Sequence, residues 1–182
     1  MQQRYTKDCK FDNTEEITMK LERWIENKLK SNKIKISKTL RRTFEEYELV
    51  EKKNGLNVGS ASLANGFETL NTELIDLITQ FGKLKLIRKK EIINLEQTLK
   101  KYIDESSKDI KNFIDNKTHY VVGISPLEEK IKDSYGIIEI NCEIINQERK
   151  YKLISFWWNT SKILITAIVA GFIGAYIKGV FE

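Results

Sequence analysis

The sequence predicts an all-α protein: long helices forming a coiled-coil-like helical bundle, with a single C-terminal transmembrane helix. Three observations carry that expectation. The 182 residues contain one proline, the residue that ends helix interiors by removing a backbone donor and crowding the preceding turn. Leu70, Leu74, Leu77, Phe81 and Leu84 step alternately by four and three residues, the spacing of a coiled-coil seam. An uncharged run extends from Ile163 to Ile177.

The elements follow in order. Asn13-Thr14-Glu15-Glu16 has the form of a capping box, and Ile17, Leu21, Trp24, Ile25 and Leu29 repeat behind it at helical spacing. The phase slips at Ser31-Asn32-Lys33 and resumes at Ile36, Leu40, Phe44 and Tyr47. The spacing predicts helices over 14–30 and 34–53, either separate or continuous. Gly55, Gly59 and Gly66 with Ser60 and Ser62 weaken a helix over 53–67. That stretch reads as a connection, or as small residues that let two helices approach closely.

The seam beginning at Leu70 passes Arg88 to Ile92, Leu95 and Leu99, with a step that resembles a stutter. Ile103, Ile110, Phe113 and Ile114 prolong it. One helix over 67–115 and a hairpin folded near Gly82 both satisfy the pattern. Ser125-Pro126-Leu127-Glu128 starts another helix, with serine as cap and proline in the first turn, expected to end near Ser134-Tyr135-Gly136. Residues 137–145 fit helix and strand periodicity alike. Helix is favoured in a chain this helical; the alternative is a short β-hairpin around 119–145. The expected division is a cytosolic helical domain over 1–150, an aromatic and basic juxtamembrane segment over 151–162, and a transmembrane helix over 163–180.

The C-terminal run deserves its own physics. Its 15 residues make about 22 Å of helix, short of a hydrocarbon core of roughly 30 Å. The flanks extend it. Trp157, Trp158 and Lys162 lie at one edge and Tyr176 and Lys178 at the other, side chains suited to the headgroup boundary. Arg149, Lys150, Lys152 and Lys162 precede the run while Lys178 alone follows it. The positive-inside tendency then leaves the N-terminal domain in the cytoplasm, as a single-pass, tail-anchored protein, with a bacterial inner membrane as the expected location. Ala167, Gly171, Ala175 and Gly179, with Ala170 and Gly174 beside them, form a small-residue face of the kind that lets membrane helices pack closely. That face and the seam together predict a homo-oligomer.

No motif for catalysis or a cofactor emerges, and no enzyme is expected. His119 is the only histidine, and Cys9 and Cys142 are far apart in sequence; neither gives the ligand spacing of a zinc site. The glycine-containing stretch at 59–66 lacks the Gly-Lys-Ser/Thr ending of a phosphate loop. No apolar leader follows Met1. Two basic clusters offer contact with an anion or a partner: Lys28, Lys30, Lys33, Lys35, Lys38, Arg41 and Arg42; and Lys83, Lys85, Arg88, Lys89 and Lys90. Anionic lipid, an acidic protein partner, and a nucleic acid or nucleotide signal are the candidate ligands; a solvated helix surface explains the same residues without any ligand.

The leading functional expectation is a non-enzymatic anchored protein that self-associates, with pore formation or membrane perturbation as its concrete form. In plan alone, with no shared motif, this resembles small membrane effectors of bacterial anti-phage and toxin systems. The alternative is a membrane-tethered helical adaptor that recruits a protein or nucleic-acid partner through its basic helices. A soluble chain with its last helix buried in an oligomer is a third reading.

Overall fold

The computed structural model describes the backbone of residues 8–54, 58–84, 87–117 and 122–181, and the side chains of 18–47, 58–84, 87–117 and 122–173. It contains four helices among those residues and no strand: α1 (Asp8–Asn54), α2 (Val58–Gly82), α3 (Lys89–Lys117) and α4 (Ile124–Phe181). The chain divides into two compact units, Met1–Cys142 and Glu143–Glu182.

In the first unit, successive helices reverse direction. Lys35 meets Glu73 and Thr43 meets Asn65, so α1 and α2 are antiparallel. Leu29 meets Tyr102 and Phe44 meets Phe113, so α1 and α3 run the same way. Asp104 meets Tyr135 and Lys100 meets Glu139, so the first part of α4 runs back along α3. The core is filled by Phe67, Leu70, Leu74, Leu77, Ile78 and Phe81 of α2 with Leu95, Leu99, Ile103, Ile110 and Ile114 of α3, all but sealed from solvent.

The structure chooses among several expectations and corrects others, each for a physical reason. Of the two forms expected for 14–53 the continuous one is present, as α1, and it begins at Asp8, ahead of the expected cap; the side chains of 13–17 lie outside the described residues. Asn32 explains the apparent slip in phase. It occupies a core-facing position seven residues after Ile25 and four before Ile36, and it is buried. With its amide oriented to donate, Asn32 reaches the Lys28 carbonyl and Glu73 Oε2, each at 3.0 Å. A buried polar group is tolerated when it is hydrogen-bonded, so the apolar stripe is interrupted without the helix breaking.

The glycine- and serine-rich stretch is helical from Val58 onward; residues 55–57 lie outside the described residues. Its small residues serve close approach. A Cβ built on Gly66 would stand 3.0 Å from Leu40 Cδ2 and 3.4 Å from Ile110 Cγ2. Gly66→Val is therefore expected to destabilise the bundle by about 1–3 kcal/mol through overpacking, more than the ~0.5–1 kcal/mol that replacing a mid-helix glycine returns. A thermal melt of the full chain in detergent measures this, and an unchanged midpoint would mean that α1 and α2 can separate without cost.

The single helix over 67–115 is replaced by a hairpin, its other expected form. Lys83 N–H and Leu84 N–H donate to the carbonyls of Gln80 and Phe81, tightening the end of α2. Arg88 N–H donates to Glu91 Oε2 at 2.8 Å and the Arg88 carbonyl accepts from Glu91 N–H, a reciprocal cap that restarts the chain as α3. The stutter at Arg88 is this turn. The seam is consequently internal to one chain.

No helix end occurs at Ser134–Gly136, and residues 137–145 are helical within α4. Ser134 is buried with its hydroxyl donating to the Lys130 carbonyl, so its polar group is satisfied inside the helix. The alternative β-hairpin is overturned over the described residues, while His119, Tyr120 and Val121 lie outside them. Between α3 and α4, Asp115 accepts from Val122 N–H at 3.0 Å and from Lys111. The Lys111 ammonium, and after it the Val122 amide, hold the Asp115 carboxyl below its usual range.

Candidate membrane-contacting site

The second unit consists of the later part of α4, and the whole of 151–173 is exposed. Its composition favours helix, and its described side chains are exposed. Ile163 is 71 % exposed and Phe172 74 %, and Leu164, Ile165, Ile168, Val169 and Ile173 are exposed alongside them. Consecutive residues point about 100° apart around a helix, so this apolar surface has no polar side. Among the described residues α4 is the one helix long and apolar enough to cross a membrane.

Two hydroxyls inside this segment are satisfied by their own helix. Thr160 and Thr166 hydroxyls donate to the carbonyls of Phe156 and Lys162, each at 2.8 Å. Trp157 and Trp158 are exposed at the start of the apolar run, and the Lys162 ammonium lies 5.1 Å from the Trp158 ring centroid. Such a cation–π pair places a charge and an amphipathic ring at one level of the helix. Of the small-residue face, Ala167, Ala170 and Gly171 are exposed, and a Cβ at Gly171 would meet nothing within 4 Å. Gly174, Ala175, Lys178 and Gly179 belong to α4, with side-chain surroundings outside the described residues.

The first basic cluster separates into paired and unpaired cations. Lys33 reaches Asp109 of α3 at 2.7 Å, and Lys35 reaches Glu73 of α2 at 2.7 Å. Arg42 pairs with Glu46 one turn on, and Lys28 sits over Trp24. Asp109 holds the Lys33 ammonium in its charged form, above its ordinary range. Lys30, Lys38 and Arg41 face solvent. In the second cluster Lys83, Arg88, Lys89 and Lys90 are exposed around the α2–α3 turn, and Lys85 lies outside the described residues. The structure therefore places the clusters' cations in several settings, with part of the charge already neutralised by neighbouring helices.

A polar junction between α3 and the first part of α4 was not singled out in the sequence. Tyr135 Oη donates to Asp104 Oδ1 at 2.6 Å, and Lys100 Nζ donates to Glu139 at 2.6 Å and Glu96 at 2.8 Å. Glu139, then Glu96, hold the Lys100 ammonium charged well above its normal range. Behind them Cys142 is buried, which pushes its thiol up to about 12 and keeps it neutral. The Glu96–Lys100 spacing is legible as a helical i,i+4 pair; the reach to Glu139 depends on the fold.

Two clefts open between α1 and α3 on either side of the Tyr102–Leu29 contact. One, about 210 Å³, is lined by Lys33, Ile36, Ser37, Leu40, Ser106, Asp109 and Phe113. The other, about 200 Å³, includes Leu21, Ile25, Leu95 and Thr98. Both are small beside the ~300–1,000 Å³ of ordinary ligand sites. Among the described residues no three His, Cys, Asp or Glu side chains gather to hold a metal ion. Comparison with protein-family models, curated proteins and solved structures finds no match to this chain.

Proposed function

We propose that this chain is a single-pass membrane protein of non-catalytic type, in which α4 anchors a helical bundle at the membrane surface and the bundle serves as a recruitment and assembly module. One observation carries the reading: an apolar helical surface exposed on every side from Ile163 to Ile173. In water that surface opposes solubility, whereas in a bilayer each exposed aliphatic side chain is favourable and the helix satisfies its own backbone. The tryptophans and Lys162 supply a headgroup anchor, and the excess of positive charge before the run favours a cytoplasmic bundle.

The pore form of the reading has less support than the anchored adaptor. Thr166, the polar residue in the middle of the described apolar run, already donates to its own helix, so it adds little to a water-filled lining. Self-association through the internal seam also loses its support, because those leucines are spent inside one chain.

The full-length protein is expected to stay in the membrane pellet after alkaline carbonate extraction, with the bundle accessible to protease from the cytoplasmic side only. Reconstituted vesicles are expected to retain an entrapped dye. Release of the chain by carbonate overturns the anchor; dye leakage restores the pore form.

A further inference from the structure

The net charge of +5 is not spread evenly along the chain. Residues 1–148 hold 26 Lys and Arg against 25 Asp and Glu, and are close to neutral. From there to the end, Arg149, Lys150, Lys152, Lys162 and Lys178 face Glu182 as the one acid, so this stretch carries +4. In the bundle, Lys33 and Lys35 find Asp109 and Glu73 on neighbouring helices. Lys150 and Lys152 are exposed and form no ion pair among the described residues, although Glu148 stands one turn before Lys152. Arg149 Nη2 reaches Asn146 Oδ1 at 3.5 Å, and Arg149 Nε has no hydrogen-bond partner.

These cations stand at a defined depth and on every side of one helix. At 1.5 Å per residue, Lys152 lies about 7.5 Å before Trp157 along the axis and Arg149 about 12 Å. That range takes in the headgroup layer and about one Debye length beyond the tryptophans. Lys162 follows the tryptophans in sequence, and its ammonium turns back to lie 5.1 Å from the Trp158 ring centroid. Successive residues rotate by about 100°, so relative to Arg149 the positions of Lys150, Lys162 and Lys152 point about 100°, 220° and 300° around the helix. No arc wider than about 120° lacks a cation. A protein or nucleic-acid partner meets one face of a helix, whereas a lipid layer surrounds it.

From this we infer that Arg149, Lys150, Lys152 and Lys162 form a collar that selects phospholipids of net negative headgroup from a mixed bilayer. The inference rests on the anchored reading, which sets the tryptophans at the headgroup boundary. The ammonium and guanidinium groups offer charge-assisted hydrogen bonds to phosphate oxygens. A zwitterionic headgroup brings its own cation to that phosphate and gains less from the collar. From Arg149 to Phe181 the helix supplies no carboxylate to compete for these cations. The preference is electrostatic and therefore weakens as salt is added.

The test reads lipid contact at the tryptophans themselves. The full chain with Trp24→Phe retains Trp157 and Trp158 as its two tryptophans. It is reconstituted in mixed phosphatidylcholine and phosphatidylglycerol vesicles in which one lipid or the other carries brominated acyl chains, which quench indole fluorescence on contact. Phosphatidylglycerol is expected to occupy the sites beside the tryptophans about fivefold in preference to phosphatidylcholine, the factor that one cation near an anionic surface supplies. The preference is expected to fall below about twofold when Arg149→Gln, Lys150→Gln and Lys152→Gln are combined, and likewise with the collar intact in about 0.5 M salt. The salt measurement needs no altered collar to insert correctly. Equal quenching by the two lipids overturns the inference, and is the result expected of a collar that meets an acidic protein or a nucleic acid. A preference that survives the triple substitution overturns it as well. Quenching by neither lipid, with release of the chain by carbonate, removes the anchor and the collar with it, so the two failures are told apart.

Discussion

Replacing Ile168 and Val169 together with arginine is expected to release the full-length chain from the membrane. Both residues are exposed near the middle of the apolar run. An arginine at the centre of a membrane helix costs about 2.5–3.5 kcal/mol, so the pair costs roughly 5–7 kcal/mol. Each aliphatic residue left in the run offsets only a few tenths of a kcal/mol on the same scale. The variant should move from the carbonate-resistant pellet to the soluble fraction while the bundle's thermal transition is unchanged. The competing reading, a helix buried in a soluble oligomer, predicts a different result: the wild type would already be extractable, and the arginines would scatter or unfold the oligomer. The two explanations part on a single pair of samples.

The second large effect lies in the bundle. Phe81 has no exposed surface at the end of α2. Phe81→Ala removes a buried aromatic ring and leaves a cavity, which costs about 3–5 kcal/mol. A domain of this size is stable by only about 5–15 kcal/mol, so the melting midpoint of the full chain in detergent should drop sharply. Helical signal should fall only in part, because an apolar helix in a detergent or lipid environment keeps its backbone bonds when the bundle melts. Phe172→Ala is the matched control: the same chemical change at a solvent-facing ring of α4 should leave the bundle midpoint where it was. A similar drop in both variants would mean that Phe172 packs on the bundle, and an unchanged Phe81→Ala melt would mean that the α2 end contributes little to the core.

What the sequence determined by itself was the class of structure and the presence of a helix suited to a bilayer. One proline, repeated apolar spacing near 3.6 residues, and an uncharged run bounded by tryptophan and lysine are local properties, and no tertiary information alters them. The helical state of 137–145 was also legible, since neighbouring helix outweighs an ambiguous period. What only the tertiary structure decided was which apolar stripe meets which. A seam such as Leu70–Phe81 has the same period whether its partner is another helix of the chain or another chain. Only the end of α2 at Gly82 and the separate start of α3 at Lys89, with the two helices packed together, settle that it is internal. Asn32 broke the phase of α1 because periodicity counts a polar side chain as exposed; Glu73, 41 residues away in sequence, satisfies its amide instead. Gly66 weakened the helix on propensity alone, yet it sits where a Cβ would stand only 3.0 Å from Leu40 Cδ2. Lys33 and Lys35 read as free positive charge until Asp109 and Glu73 arrive from other helices. In each case the deciding partner is distant in sequence. Local physics sets the secondary structure of a segment, but the free energy of burying a group depends on what is packed against it.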